Sequence, residues 1–295
     1  METLEKTKVK VETVVNAPVD KVWMMWNDPR HVMHWNQASD DWFTPWAENE
    51  LSIGGRFVYR MEARDGSSGF DFSGEYTTIE PQRIIEYKLD DDRMVQISFL
   101  KRGSKTVISE IFETEQTNPV SLQRKGWQAI LDNFRNYTEK NRNNEILHFE
   151  VRIKSTLEKV YGTMIDREGY RLWTSEFNPT SCFEGSWVKG SKILFIGTDH
   201  EGKKGGMVSI VRENIHEKFI SLEHTGIYQN GEEITTGPKV EGWKGSLENY
   251  TFSIENDLIL VAVDLDADPD FRDYFLETWP RALEKLKNIC EGNEE

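Results

Sequence analysis

Aromatic side chains are the residues of this sequence best suited to contact another molecule. The 295 residues include ten Trp, fifteen Phe and nine Tyr. Rings in this number either fill a core or line a cavity for an apolar ligand, and the sequence leaves both interpretations open. The candidate ligand-binding residues are Trp35, Trp42, Phe43, Phe57, Tyr59, Phe70, Phe72, Tyr87, Phe99, Trp127, Ile130, Leu131, Phe134, Trp173 and Trp279.

Reactive motifs are missing from the sequence. It has no Gly-rich phosphate loop and no GxSxG, CxxC or HExxH pattern. His31 and His34 stand three residues apart without an acidic or thiol partner at a defined spacing, so a solvated or capping pair is expected rather than a metal site. We therefore predict no catalytic residue, no metal and no cofactor. Polar groups that could orient a ligand are Tyr59, Arg60, Glu75 and Arg83.

The net charge of the chain limits the classes of partner that are expected. The net charge is −15, of which −5 falls on residues 1–141 (18 basic, 23 acidic) and −10 on residues 142–295 (18 basic, 28 acidic). Without a basic run, neither nucleic acid nor an anionic membrane surface is an expected partner. Two scattered cysteines, Cys182 and Cys290, favour a reducing compartment. The start METLEKTKVK has no apolar signal region, and no apolar run approaches the roughly 18 residues of a membrane span, so we expect a cytoplasmic protein.

The elements that must position these residues occur twice. VDKVWMMWNDPRHVMHWN at 19–36 matches LEKVYGTMIDREGYRLWT at 157–174 with an offset of 138. LSIGGRFVY at 51–59 matches WVKGSKILF at 187–195, and PQRIIEY at 81–87 matches HEKFISL at 216–222, with offsets of 136 and 135. A period this long predicts two similar domains, at 1–141 and 145–295.

Each half has the same predicted order of elements. A strand comes first, two short helices follow, and a meander of antiparallel strands leads to a long final helix, at about 120–140 and 271–290. The second half adds a long Gly-rich hairpin loop at about 224–249. The class is α+β. If the sheet curves around the long helix, one end of the helix can stand off and leave an apolar cavity.

A known family shares this pattern. The residues that carry the likeness are Ala17-Pro18, Val22-Trp23, Asp28-Pro29, Trp35, Gly54-Gly55, Phe57, Gly74, Pro81, Arg83-Ile84, Gly126-Trp127 and Leu131. The first half resembles the START-like (SRPBCC) superfamily, in the group related to the C-terminal domain of the activator of Hsp90 ATPase. The second half looks like a diverged copy, since it keeps Glu158 to Tyr161, Asp166, Trp173, Gly190 and Trp279. The resemblance implies tandem helix-grip (START/Bet v 1-like) domains, each with a hydrophobic cavity.

Three functions are compatible with this resemblance, and the oligomeric state stays open. The first is non-catalytic binding of a small hydrophobic molecule. The second is a chaperone-associated, stress-response role like that of an Hsp90 co-chaperone; the sequence has no Asn/Trp/His-rich motif or preceding domain of the activators, which argues against ATPase stimulation. The third is a cyclase or dehydratase, which needs an acid–base pair in the cavity. It ranks last because His200, His216 and His224 are predicted in loops or at strand ends.

Overall fold

The computed structural model describes residues 7–140, 145–241, 243–267 and 269–292. They form two compact units that divide between residues 143 and 144. Each unit has one curled antiparallel sheet, two short helices and a long C-terminal helix. The predicted α+β class is confirmed.

The first unit follows the predicted order of elements. Its sheet has the order β1-β7-β6-β5-β4-β3-β2, with every neighbouring pair antiparallel. Its described elements are β1 (Lys8–Val15), α1 (Val19–Asn27), α2 (Pro29–Trp35), β2 (Trp42–Asn49), β3 (Arg56–Ala63), β4 (Gly69–Glu80), β5 (Ile84–Leu89), β6 (Met94–Arg102), β7 (Lys105–Glu113) and α3 (Val120–Lys140).

The second unit repeats this order. Its sheet has the order β8-β15-β14-β12-β11-β10-β9, and β13 pairs with β12 outside that path. Its described elements are β8 (Glu145–Ile153), α4 (Leu157–Ile165), α5 (Arg167–Trp173), β9 (Cys182–Gly185), β10 (Lys192–Thr198), β11 (Lys204–Ile215), β12 (Phe219–Gln229), β13 (Glu232–Ile234), β14 (Leu247–Glu255), β15 (Leu258–Ala267) and α6 (Arg272–Glu291).

Local chemistry explains the helix starts that the repeat shares. The Asp28 carboxylate accepts a hydrogen bond from the Arg30 amide at 3.0 Å, and Pro29 occupies the first helical position of α2. Asp166 caps α5 in the same way and accepts from the Glu168 amide at 3.0 Å. A capping carboxylate satisfies helix amides that lack an intrahelical acceptor.

Two strands lie where the sequence predicted loop. β2 includes Pro45, and Pro is disfavoured inside a sheet because it has no amide to donate. The structure resolves this conflict by placing β2 at the edge of the sheet, with a register shift between Phe43 and Trp46. The second strand, β9, has only four residues and lies at the equivalent edge.

The predicted hairpin loop at 224–249 is partly strand. β12 continues to Gln229, turns at Asn230-Gly231 and pairs with β13. Both turn residues have positive φ, at 51° and 93°, as an Asn-Gly hairpin requires. The loop proper is therefore confined to the residues between β13 and β14.

Each long helix packs its apolar stripe on its own sheet. In α3, Leu131 and Phe134 are fully buried, and the ring of Trp127 stacks on Phe112 with centroids 4.1 Å apart. In α6, Trp279 and Leu286 are buried in the second core. Among the described helices, none combines the length and the apolar character that crossing a bilayer requires.

Candidate ligand cavities

The first unit encloses a cavity of about 360 Å³ between its sheet and α3. Aromatic rings supply most of its wall. Nine of the predicted residues line it: Trp35, Trp42, Phe57, Tyr59, Phe70, Phe72, Tyr87, Trp127 and Ile130. Phe70, which is 48% exposed, and the half-buried Trp42 form an aromatic pair at its rim, with centroids 5.8 Å apart.

The α3 helix presents a glycine to this space. Gly126 lines the cavity, and a Cβ added there would meet no heavy atom within 4 Å. The neighbouring Trp127 is held against Phe112 by stacking instead of turning into the space. Glycine costs about 1 kcal/mol relative to alanine inside a helix, so this opening has a price in stability.

Four predicted ligand residues lie outside the cavity wall. Phe134 packs edge-on against Trp26 and Trp35, at centroid distances of 4.8 and 5.0 Å, and Phe99 packs against Trp26 at 5.7 Å. The other two are Phe43, which lies under the Arg64 guanidinium, and the fully buried Leu131. These side chains are buried and do not line the cavity, so they belong to the packed core.

Glu110 is a polar residue of the first cavity that the sequence analysis missed. It lies on the apolar face of β7 between Ile108 and Phe112 and is only 5% exposed. Its cross-strand neighbours are Val11 and Ile97. Burial raises the pKa of Glu110 to about 8, so its carboxyl is protonated at neutral pH and can donate a hydrogen bond. The sequence signal was weak, because Val107 and Ile111 make the opposite face of β7 apolar as well.

Three tyrosines surround the middle of this cavity. Burial raises the pKa of Tyr59 and Tyr87 well above the usual range, and raises that of Tyr76 to about 12. The Tyr76 hydroxyl donates to the Asn49 side-chain oxygen at 2.8 Å. The wall therefore offers neutral hydroxyl groups beside a protonated carboxyl.

The remaining polar candidates from the sequence point elsewhere. Arg60 pairs with Glu62 at 2.8 Å, and Arg83 pairs with Glu80 at 2.8 Å on the exposed surface. Glu75 is exposed. None of Arg60, Glu75 and Arg83 lines the first cavity. Only Tyr59 of the four candidates does, because alternation along a strand sends neighbouring side chains to opposite faces.

The second unit has a larger cavity of about 780 Å³. Trp173 and Trp279, both predicted ligand residues, line it with ring centroids 6.0 Å apart. Tyr170, Phe177 and Phe195 add further rings. Loop residues between β13 and β14, with exposed residues from the start of β11, complete the rim.

A chain of polar side chains crosses the floor of the second cavity. Ser209 Oγ lies 2.9 Å from His224 Nδ1, and His224 Nε2 lies 3.4 Å from Glu248 Oε2. The Tyr250 hydroxyl donates to Glu248 Oε1. The prediction that His224 lies in a loop or at a strand end is wrong, since it stands inside β12 and is 6% exposed. A bulge between Val208 and Ser209 brings Ser209 opposite it.

His31 and His34, the two histidines of the first unit that the sequence analysis considered as a pair, both contact Tyr137. His31 Nδ1 lies 2.7 Å from the Tyr137 hydroxyl. The His34 ring stacks on the Tyr137 ring with centroids 5.1 Å apart. The pair joins α2 to α3 and does not converge on a shared point.

Comparison with known proteins places this arrangement in a family. Residues 16–139 match the model of the family described as Activator of Hsp90 ATPase homolog 1-like protein. An AHSA1-like protein from Aeromonas hydrophila, solved in solution, is 39% identical; the match covers 45% of this chain and 92% of that one, with a TM-score of 0.43. A protein from Cytophaga hutchinsonii is 48% identical, covering 46% and 94%, with a TM-score of 0.41. The chain belongs to the AHSA1-like family.

A further solved structure spans nearly the whole AHSA1-like chain. It is the di-domain ARO/CYC StfQ from the steffimycin biosynthetic pathway, 10% identical, covering 96% of this chain and 98% of that one, with a TM-score of 0.56. At this identity the likeness shows the fold alone, which is the tandem helix-grip fold that the sequence resemblance implied. The fold is that of a family of ligand-binding domains. Among curated proteins, none matches the chain.

Proposed function

We propose that the first unit binds a small, neutral, largely aromatic molecule between its sheet and α3, without turning it over. The observation that carries this proposal is a cavity of about 360 Å³ whose wall is aromatic and whose interior acid is protonated. Ligand pockets of folded proteins commonly enclose about 300 to 1,000 Å³. An interior this size gives an apolar ring system a dry site, and dry apolar contact is the main source of affinity for such ligands.

The charges along the wall favour a neutral ligand. Glu110 in its protonated form offers a donor to a ligand carbonyl, ether or ring nitrogen rather than a partner for a cation. Arg93 also reaches the wall, but its guanidinium is paired with the Asp91 carboxylate at 2.8 Å. An anionic ligand would lose its hydration without gaining an unpaired positive charge, and Glu115, the other acid of the wall, accepts hydrogen bonds from the Thr117 and Asn118 amides.

A cavity-filling substitution tests the proposal. N-phenyl-1-naphthylamine, a neutral aromatic dye that fluoresces in apolar surroundings, is titrated into the full chain and into Gly126→Phe. A Phe ring at position 126 points into the open space beside α3, so we expect the dye to bind at least tenfold more weakly.

Gly126→Ala is the matched control, since it changes the same backbone position and leaves most of the volume open. The dye should bind this variant like the natural chain. Equal dye affinity in the natural chain and in Gly126→Phe, with both folded by circular dichroism, would remove the proposal.

A chaperone-associated role is the second candidate, and the family description is the observation that favours it. The ATPase rate of Hsp90 with and without the full chain tests this role. Stimulation that persists in Gly126→Phe would favour contact through a protein surface. No change in rate at saturating chain would argue for the ligand site alone.

A further inference from the structure

The second cavity places Glu248 among several aromatic rings. Glu248 lines it and keeps 17% of its side chain exposed, so the carboxylate faces the open space. Throughout the described parts of the chain, its recorded partners are His224 and Tyr250, and neither is a lysine or an arginine. This acid is therefore oriented by its neighbours without being matched by a strong base.

Hydrogen bonding along the floor is satisfied by a neutral imidazole. The Ser209 hydroxyl can donate to His224 Nδ1, which leaves the Nε2 hydrogen facing Glu248. Tyr250 donates to the other carboxylate oxygen. In this arrangement every member of the chain has a partner, and the Glu248 carboxyl lies at its cavity end.

The walls around this charge have the character that stabilises cations. Trp279 lies between Trp173 and Tyr250, with centroid distances of 6.0 and 6.2 Å, and all three line the cavity with Glu248. An aromatic ring carries negative charge density on its face, so it attracts an ammonium group, most strongly where water is excluded. A carboxylate and aromatic faces in one cavity act on a cation together.

We infer that the second cavity binds a small organic cation with an apolar body, such as a protonated alkylamine that carries an aromatic ring or a quaternary ammonium, whose positive charge faces Glu248. This site lies in the second unit and does not depend on the ligand proposed for the first. The unit has a net charge of −10 over residues 142–295, which favours the approach of cations. The rim of the cavity carries charges of both signs. It is lined by Asp199 and by three exposed lysines, Lys203, Lys204 and Lys239, and Lys203 is paired with Glu201 at 2.5 Å.

An isosteric pair of probes tests the charge preference. Phenyltrimethylammonium and tert-butylbenzene have the same shape and differ by a nitrogen cation in place of a carbon. Binding of each is followed by tryptophan fluorescence at neutral pH in the full chain with Gly126→Phe, whose first cavity is filled and so cannot take up the neutral probe. We expect the cation to bind at least tenfold more tightly than the hydrocarbon. Equal affinities, or tighter binding of the hydrocarbon, would overturn the inference.

Substitution of Glu248 tests whether this residue causes the preference for the cation. Glu248→Gln should lose at least tenfold in affinity for phenyltrimethylammonium and keep its affinity for tert-butylbenzene. Glu255→Gln is the matched control, because it makes the same change on the same strand, where Glu255 pairs with Arg152 at 3.1 Å. A cation preference that survives Glu248→Gln, or that is lost equally in Glu255→Gln, contradicts the inference.

A second variant covers the case in which Glu248→Gln does not fold. The double substitution His224→Leu with Glu248→Val, made in a chain that also carries Ser209→Ala and Tyr250→Phe, removes the whole polar chain and leaves an apolar floor, so no buried group is stranded. It should bind the two probes with equal affinity. A folded variant of this kind that still prefers phenyltrimethylammonium would overturn the inference by itself.

Discussion

The two sheets have the same strand order but place their acids on different strands. In the first unit, Glu110 of β7 pairs with Val11. The residue equivalent to Val11 at the offset of 138 is Phe149, and it pairs with Val263. An aliphatic residue in the second sheet thus occupies the position of the buried acid in the first.

The second sheet in turn has polar residues at positions where the first sheet has apolar ones. By the same strand pairing, Val95 and Leu89 of the first sheet stand where Glu248 and His224 stand in the second. An acid alone among apolar neighbours takes up a proton, whereas an acid beside hydrogen-bond donors serves as an acceptor. One scaffold can therefore offer a neutral donor in one cavity and a negative acceptor in the other.

The largest expected effect is on the pH dependence of stability and concerns Glu110, the acid that lies alone among apolar neighbours. The pKa of Glu110 rises from 4.5 to about 8 on folding, so the folded chain holds a proton that the unfolded chain releases between these values. Stability should therefore fall as pH rises from about 4.5 to about 8, by on the order of 4 kcal/mol, and level off above. Glu110→Gln should lose this slope. Urea unfolding of the full chain at pH 5 and pH 9 measures it.

Glu75→Gln, an exposed change on the neighbouring sheet surface, is the control and should keep the slope of the natural chain. A Glu110→Gln variant with an unchanged pH slope would mean that the carboxyl is hydrated in the folded state.

A smaller effect is expected where the sheets differ in side-chain volume. Strand pairing makes Gly74 equivalent to Ser209. A Cβ at Gly74 would lie 2.6 Å from the Lys88 carbonyl oxygen and 3.1 Å from the Phe57 ring. Copying the second unit by Gly74→Ser should therefore cost roughly 1 to 3 kcal/mol in the free energy of unfolding. A neutral result in urea titration would show that the strands shift to admit the side chain.

Tyr250→Phe should lower the free energy of unfolding by about 1 to 2 kcal/mol. The reason is that Glu248 in the cavity floor loses the hydrogen bond that the Tyr250 hydroxyl donates. Urea unfolding gives the value. Tyr87→Phe in the first unit removes a hydroxyl of similar burial and should cost less, since among the described residues the Tyr87 hydroxyl donates no hydrogen bond to a carboxyl group. Equal costs would show that the Tyr250 bond adds nothing to stability.

The smallest effect is a gain. Gly126→Ala should stabilise the chain by about 0.5 to 1 kcal/mol, because alanine suits the interior of α3 and its methyl group meets open space. A loss in thermal or urea unfolding would mean that the cavity wall cannot accept even a methyl group.

The sequence predicted the repeat, the meander and the long helices because their signals are local. Alternation in β1, the Asp28-Pro29 helix start and the apolar stripe of α3 need no knowledge of distant residues. The edge strand β2 was missed for a physical reason, since Pro45 argues against a strand until its position at the edge is known.

The cavities themselves depend on geometry that spacing does not contain. Whether aromatic rings fill or line an interior depends on how closely α3 packs on the curled sheet, and the spacing of residues along the chain does not give that distance. The polar floor of the second cavity depends on the bulge beside Ser209, which sets the residue facing His224. Glu110 was missed for a related reason, because β7 carries apolar residues on both faces, with Val107 and Ile111 opposite Ile108 and Phe112, and alternation does not show which face holds the acid.

The pH dependence of dye binding tests the central claim most directly. N-phenyl-1-naphthylamine stays neutral between pH 6 and pH 10, so a change in its affinity reports the protein. The natural chain should bind the dye with constant affinity below the Glu110 pKa of about 8 and progressively more weakly above it, as the carboxyl ionises and draws water into the cavity. Glu110→Gln should show no such decline. Constant affinity across the range in the natural chain, or the same decline in Glu110→Gln, would contradict the account.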